Sequence, residues 1–250
     1  MFGRTIKKVD ELQKEINEYR PLSRNALKQL KQYYRIGLTY SSNALEGNSL
    51  TETETKIVLE EGITIGGKPL KDHYEAIGHS EAYDYLCKLS KNGIITEGDI
   101  LELHKLFYYR IDRENAGVYR KVPVIIAGAE VKFPPPSKIK PLMQEYVKEI
   151  SFLKEKHHPV EHSALIHLGL VNIHPFIDGN GRTARLLMNL ALLQAGFVIT
   201  IIPPILRHEY LDSLKASNRG DNKPFIDLIM GMVYESQKDH LRILQTLNEK

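Results

Sequence analysis

The chain has 250 residues, 42% hydrophobic and 26% charged, with a formal net charge of +3, one cysteine and no tryptophan. That length suits one large domain or a domain with an extension, and so mild a charge, with no basic stripe carrying aromatics, points away from nucleic acid. Cys87 alone forms neither a disulfide nor a zinc cluster, no apolar stretch is long enough to span a membrane and Met1 to Asp10 lacks a signal-peptide core, so a soluble cytoplasmic protein is expected.

Apolar spacing and cap residues predict an all-α chain with helices at about 5–18, 23–40, 52–61, 71–91, 97–110, 138–156, 160–173, 182–195, 207–219 and 223–246. Ser23 reads as the N-cap of the second helix, which carries Leu27, Leu30, Tyr34 and Leu38 on one face. Ser42 and Glu46, four apart, face the same way. Gly47 offers a left-handed exit, and Thr51 with Glu54 reads as a capping box for the third helix. Glu46 thus lies near a helix C-terminus, where the dipole disfavours its charge. Asn92-Gly93 reads as a turn, not a flexible linker. The β-branched residues from Val122 to Phe133 around Ala127-Gly128-Ala129, followed by Pro134, Pro135 and Pro136, predict a small β-hairpin that packs over the helices. His157, His158 and His162 are a poor zinc set, because Pro159 intervenes and no third ligand is evident; they read as residues at the start of a helix.

The densest chemistry runs from His174 to Arg185, HPFIDGNGRTAR. Ala164, Leu165, Leu168, Leu170 and Val171 give the preceding helix a broad apolar stripe, and Pro175 takes the chain out of it, displaying the His174 imidazole at a rim. Gly179 and Gly181 flank Asn180 and permit left-handed backbone, so that successive amides converge on an anion. Arg182 and Arg185 share a face in the first turn of a helix that is apolar almost all round and stops at Gly196. Two cations at the positive end of a helix dipole require a negative ligand, and a polyphosphate supplies one. Asp178 adds a carboxylate suited to Mg²⁺.

The run resembles the signature of the Fic (filamentation induced by cAMP) family, H-P-F-x-D/E-G-N-G-R-x-x-R, at every specified position. The resemblance implies an all-α Fic-type fold with a small β-hairpin flap over the active site, and an autoinhibited protein adenylyltransferase that moves AMP from ATP to a Ser, Thr or Tyr hydroxyl of a protein. By it, His174 is the base and Asp178 binds Mg²⁺ or Mn²⁺, while Gly179, Asn180, Gly181, Arg182, Thr183 and Arg185 hold the phosphates. Ser42 to Gly47 resembles the family's inhibitory motif, S/T-x-x-x-E-G/N, which implies that Glu46, with Ser42, occupies Arg185 in place of the γ-phosphate. Tyr210 and Asn218, on the helix expected at 207–219, are by the same resemblance the adenosine contacts, though a tyrosine at helical spacing also suits a core. Val131, Lys132 and Phe133 are the expected target-docking residues of the flap, by strand addition. The resemblance places an extension with the inhibitory motif at 1–95, the catalytic domain at 96–233 and the end of the last helix with a tail at 234–250. The resemblance implies ATP and a protein target as partners, leaving open the chain itself as a target and a homo-oligomer, while composition points to no nucleic acid and no membrane partner. Rival functions are removal of AMP, transfer of another phosphate-containing group, and a non-catalytic peptide-binding module. His167 is read as structural.

Overall fold

The computed structural model describes residues 2–125 and 132–248, and among them every regular element is helical. The helices are α1 (Phe2–Glu18), α2 (Arg24–Ala44), α3 (Glu52–Glu61), α4 (Leu70–Leu89), α5 (Glu97–Tyr108), α6 (Pro136–Lys156), α7 (Pro159–Ile173), α8 (Asn180–Gln194), α9 (Arg207–Asn218) and α10 (Lys223–Asn248), with a 3-10 turn at Pro204–Leu206. Among the described residues no helix is long and apolar enough to cross a membrane.

Local chemistry explains most boundaries. The Ser23 side chain accepts from the Ala26 amide at 3.1 Å, and Thr51 with Glu54 closes a capping box at the start of α3. Two helices start earlier than the apolar spacing suggests because proline is tolerated at a first helical position, where its missing donor costs nothing: Pro136 opens α6 and Pro159 opens α7. Helix α2 runs on to Ala44, so Ser42 lies in its last turn and Glu46 just beyond it.

Helix α8 packs against α7, α4, α5 and α2. Leu186, Leu187, Leu190 and Leu192 are fully buried, each contributing about 1.5–3 kcal/mol. This all-round burial is what the apolar run after Arg185 predicts. Helices α4 and α5 approach closely at Gly78, where a Cβ would run into the Phe107 carbonyl. The start of α8, carrying both arginines, is thereby walled by α2, α4 and α5.

The expected hairpin is corrected in its described part. No strand occurs among the described residues, and 122–125 and 132–135 run without a ladder. Pro123, Pro134 and Pro135 lack amide donors, and the carbonyls of Val122 and Pro134 accept instead from the Arg120 guanidinium at 3.0 and 2.6 Å. Residues 126–131, Val131 among them, lie outside the described residues.

Candidate active site

Helix α7 ends at Ile173, and His174 takes a left-handed conformation (φ 51°, ψ 59°), as no other non-glycine among the described residues does. Such a conformation costs roughly 1–3 kcal/mol and persists only where neighbours impose it. Three contacts do so. The His174 amide donates to the Leu170 carbonyl at 2.9 Å, its carbonyl accepts from Arg120 Nε at 2.8 Å, and Pro175 excludes helical backbone before it. The loop beyond is braced by Asn180, whose side chain accepts from the Phe176 amide and donates to the Phe176 carbonyl, both at 2.9 Å. Buried Phe176 stacks flat on His104, with ring centroids 3.7 Å apart. His104 Nδ1 accepts from the Gly117 amide, which puts the proton on Nε2, and Nε2 donates to the Asp178 carbonyl at 3.1 Å. Burial pushes the His104 imidazole down to about 4, so it stays neutral. Gly179 is left-handed (φ 77°), and a Cβ there would stand 2.9 Å from the Phe107 ring. Gly181, by contrast, is helical and lies in the first turn of α8.

The His174 ring lies 4.2 Å from the half-buried ring of Phe133. Burial is the main cause that lowers its pKa to about 4, with Arg120 acting the same way, against the Val171 carbonyl, Asp178 and Glu46. At neutral pH the imidazole therefore carries a free lone pair, as a general base requires.

Both motif arginines are buried and paired. Arg182, 3% exposed, meets Glu75 Oε1 at 2.8 Å and lies 4.2 Å from the Phe107 ring centroid. Glu75 also accepts from Asn48 at 2.9 Å. Arg185, 2% exposed, donates to Ser42 Oγ (3.0 Å), the Ser42 carbonyl (2.8 Å), the Tyr210 hydroxyl (3.0 Å) and Glu46 Oε1 (2.7 Å). Tyr210, having accepted from Arg185, donates onward to His167 Nε2 at 3.0 Å. Burial drives His167 well below its usual range, leaving that nitrogen able to accept. For Glu46, burial raises the carboxyl, but the charges of Arg185, Arg182 and Arg207 and the Arg185 hydrogen bond outweigh it and hold the pKa below the ordinary value. A carboxylate thus rests on the arginine at the positive end of α8, where a phosphate would be favoured.

Fic-1 from C. elegans superposes on this chain with a TM-score of 0.88 at 31% identity, over 98% of this chain and 73% of that one. The chain belongs to the Fic/DOC family. Residues 94–192 match the family itself, so the match takes in the whole motif. A Fic domain containing signaling protein from Bacteroides thetaiotaomicron superposes with a TM-score of 0.87 at 28% identity, covering 96% of this chain and 97% of that one. The protein adenylyltransferase Fic of Drosophila melanogaster is 38% identical over 213 residues, 83% of this chain and 42% of that protein. The chain thus spans about two fifths of the curated relatives' length.

Within this Fic fold, Ser42, Glu46, Asp178, Gly179, Asn180, Gly181, Arg182, Arg185 and Tyr210 converge around the start of α8, and Thr183 Oγ1 donates to the Gly179 carbonyl at 2.9 Å. Asn180 spends its side chain on the loop, and Tyr210 spends its hydroxyl on Arg185 and His167. Asn218 ends α9 and is exposed, as is Lys132. Asp178 is 46% exposed; its Oδ1 accepts from the Gly179 amide at 2.6 Å and lies 3.5 Å from Arg182. Among the described residues no three metal-type side chains cluster. A hard cation at Asp178 would draw its other ligands from phosphates and water, which suits Mg²⁺. His158 caps α7 and meets Asp10, while His162 Nε2 bonds the Ile150 carbonyl, so the histidine cluster is structural. Glu75, His104 and Arg120 carry no local pattern in the sequence; only tertiary contacts reveal them. A cavity of about 950 Å³ among Leu30, Tyr34, Tyr83 and Cys87 contains no motif residue.

Proposed function

We propose that this protein is a protein adenylyltransferase, transferring AMP from ATP to a side-chain hydroxyl of a protein, and that Glu46 restrains it. The observation that carries the reading is the Glu46 carboxylate seated on Arg185 at 2.7 Å beside the glycine-flanked start of α8. It occupies an anion site with the charge, depth and donors suited to a terminal phosphate. Relatives 38% identical bear the name protein adenylyltransferase Fic, which supports the same chemistry. We take 96–233 as the catalytic unit and 1–95 as the part that supplies the restraint.

In the reaction the target hydroxyl oxygen attacks the α-phosphorus while His174 takes its proton. The bond from the α-phosphorus to the bridging oxygen breaks, and pyrophosphate leaves. Arg182, Arg185 and the amides of the Gly179 to Gly181 turn hold the departing phosphates and oppose their growing charge. Asp178 would hold Mg²⁺, which when bound adds positive charge along the phosphates. Glu46 keeps about a third of its side chain exposed, so an oxygen turned away from Arg185 is able to hold water. On that ground the site also supports the reverse service, hydrolytic removal of AMP from a modified protein.

The test is intact mass of wild type, Glu46→Ala and Glu46→Ala/His174→Ala after incubation with ATP and Mg²⁺, alone and with cell lysate. AMP addition in the single variant that disappears in the double is the expected result. No AMP on the protein or any lysate target would overturn the reading in favour of another transferred group or a binding module.

A further inference from the structure

The geometry points to Arg120 as a positioning residue that ties Val122 and Pro134 to the backbone of His174, so that the Phe133 surface beside the base and the base itself keep one relation to each other. The inference rests on the transferase reading above. Arg120 is 3% exposed, and its guanidinium donates to three backbone carbonyls on three separate stretches: His174 at 2.8 Å, Val122 at 3.0 Å and Pro134 at 2.6 Å. Its own amide donates to the Pro175 carbonyl at 2.9 Å. No carboxylate pairs with it among the described residues.

A buried cation that meets only carbonyls is an expensive way to fill space. What it uniquely does is spread donors in a planar fork over points a lysine ammonium does not span. One side chain thereby joins Val122 to Pro134 and ties both to residue 174. Phe133, next to the anchored Pro134, lies 4.2 Å from the His174 ring, so the surface over the base and the base itself share one fastening. Among the hydrogen bonds and ion pairs of the described residues none joins Arg120 to Arg182, Arg185 or Gly179, so nucleotide binding is separable from alignment.

The experiment compares Arg120→Met and Arg120→Lys, each in the Glu46→Ala background, by ATP affinity with Mg²⁺, rate of AMP transfer, and the NMR contact between the Phe133 and His174 rings. ATP affinity is expected within about twofold of the parent while transfer falls roughly 100-fold, the scale set by misplacing a reacting group by about 1 Å. The ring contact is expected to disappear in the methionine variant and weaken in the lysine variant, which keeps the charge and remains the reference should the methionine variant not fold. Transfer within threefold of the parent, or ATP affinity falling in step with transfer, overturns the positioning role. If no variant transfers AMP, the parent included, the transferase reading has failed, and the ring contact still decides: retained without Arg120 it overturns the coupling, lost it supports it.

Discussion

Replacing Glu46 by alanine removes the carboxylate 2.7 Å from Arg185, and the structure gives the two consequences opposite signs. Arg185 keeps its bonds to Ser42 Oγ, the Ser42 carbonyl and Tyr210, so its guanidinium is not orphaned. Because Glu46 is 36% exposed, water screens the pair, and the cost lies well below the 3–5 kcal/mol of breaking a fully buried one, at about 1–2 kcal/mol. For a chain this size that lowers Tm by roughly 2–8 °C. The same 1–2 kcal/mol no longer opposes a phosphate at Arg185, which tightens ATP by about 5- to 30-fold. Calorimetric titration with MgATP and thermal denaturation read both. Glu46→Gln, which keeps a neutral oxygen for Arg185, should fall between. ATP affinity equal in Glu46→Ala and wild type would refute the latch, whatever happens to Tm.

His174→Ala in the Glu46→Ala background should leave ATP affinity in place and cut transfer about 10²- to 10⁴-fold, as loss of a general base does; equal losses of binding and rate would assign His174 to binding. With the His174 pKa lowered to about 4, the imidazole is neutral above that value, so the acid limb of the transfer rate should lie near pH 4; a limb near the ordinary histidine value would contradict it. The depressed Glu46 carboxyl stabilises the latch at every pH above its ordinary value of 4.5 and loses that contribution only as pH falls through the lower folded value, so wild-type ATP affinity should stay flat from about pH 6 to 8. A Cβ on Gly181 would collide with the Glu46 carboxylate, the free end of a flexible side chain. Because Glu46 rests where the terminal phosphate is proposed to bind and the same Cβ would stand 3.1 Å from Arg185, Gly181→Ala should weaken ATP affinity in the Glu46→Ala background; unchanged affinity there would deny that Gly181 borders the anion site. Gly78→Ala drives a Cβ into backbone and should cost about 1–3 kcal/mol in chemical denaturation, with an unchanged midpoint counting against the α4–α5 packing.

The helices were legible because their signals are local. Ser23, Thr51 with Glu54, and Gly196 mark ends within a few residues of themselves, and the apolar run after Arg185 announces a buried helix. The site was legible as far as a contiguous motif carries it. Glu75 reads as one more helical glutamate until α4 brings it to Arg182, and Arg120 gains its meaning from carbonyls 2, 14 and 54 residues away. Where 122–133 is described, at 122–125 and 132–133, the expected strands do not form, since β propensity is silent on what else claims the carbonyls. Tyr210 shows the converse: its residue type suits a base-stacking surface, while its place is between Arg185 and His167, 3% exposed.

The segment proposed above as the restraint lies on the same chain as Arg185. Leu45 is held by its carbonyl to Arg207 at 2.8 Å, Ser42 by two bonds to Arg185, and Asn48 to Asp72 and Glu75, so the backbone on both sides of Glu46 is pinned. On that proposal the carboxylate acts at an effective concentration that dilution does not change, and it reaches Arg185 through one side chain with three rotatable bonds. Rotating it clear of Arg185 melts no helix and docks no domain. The barrier to switching is then that of a rotamer change rather than a refolding event, on the timescale of local side-chain motion. How long the open state lasts is set by whatever anion takes the vacated place.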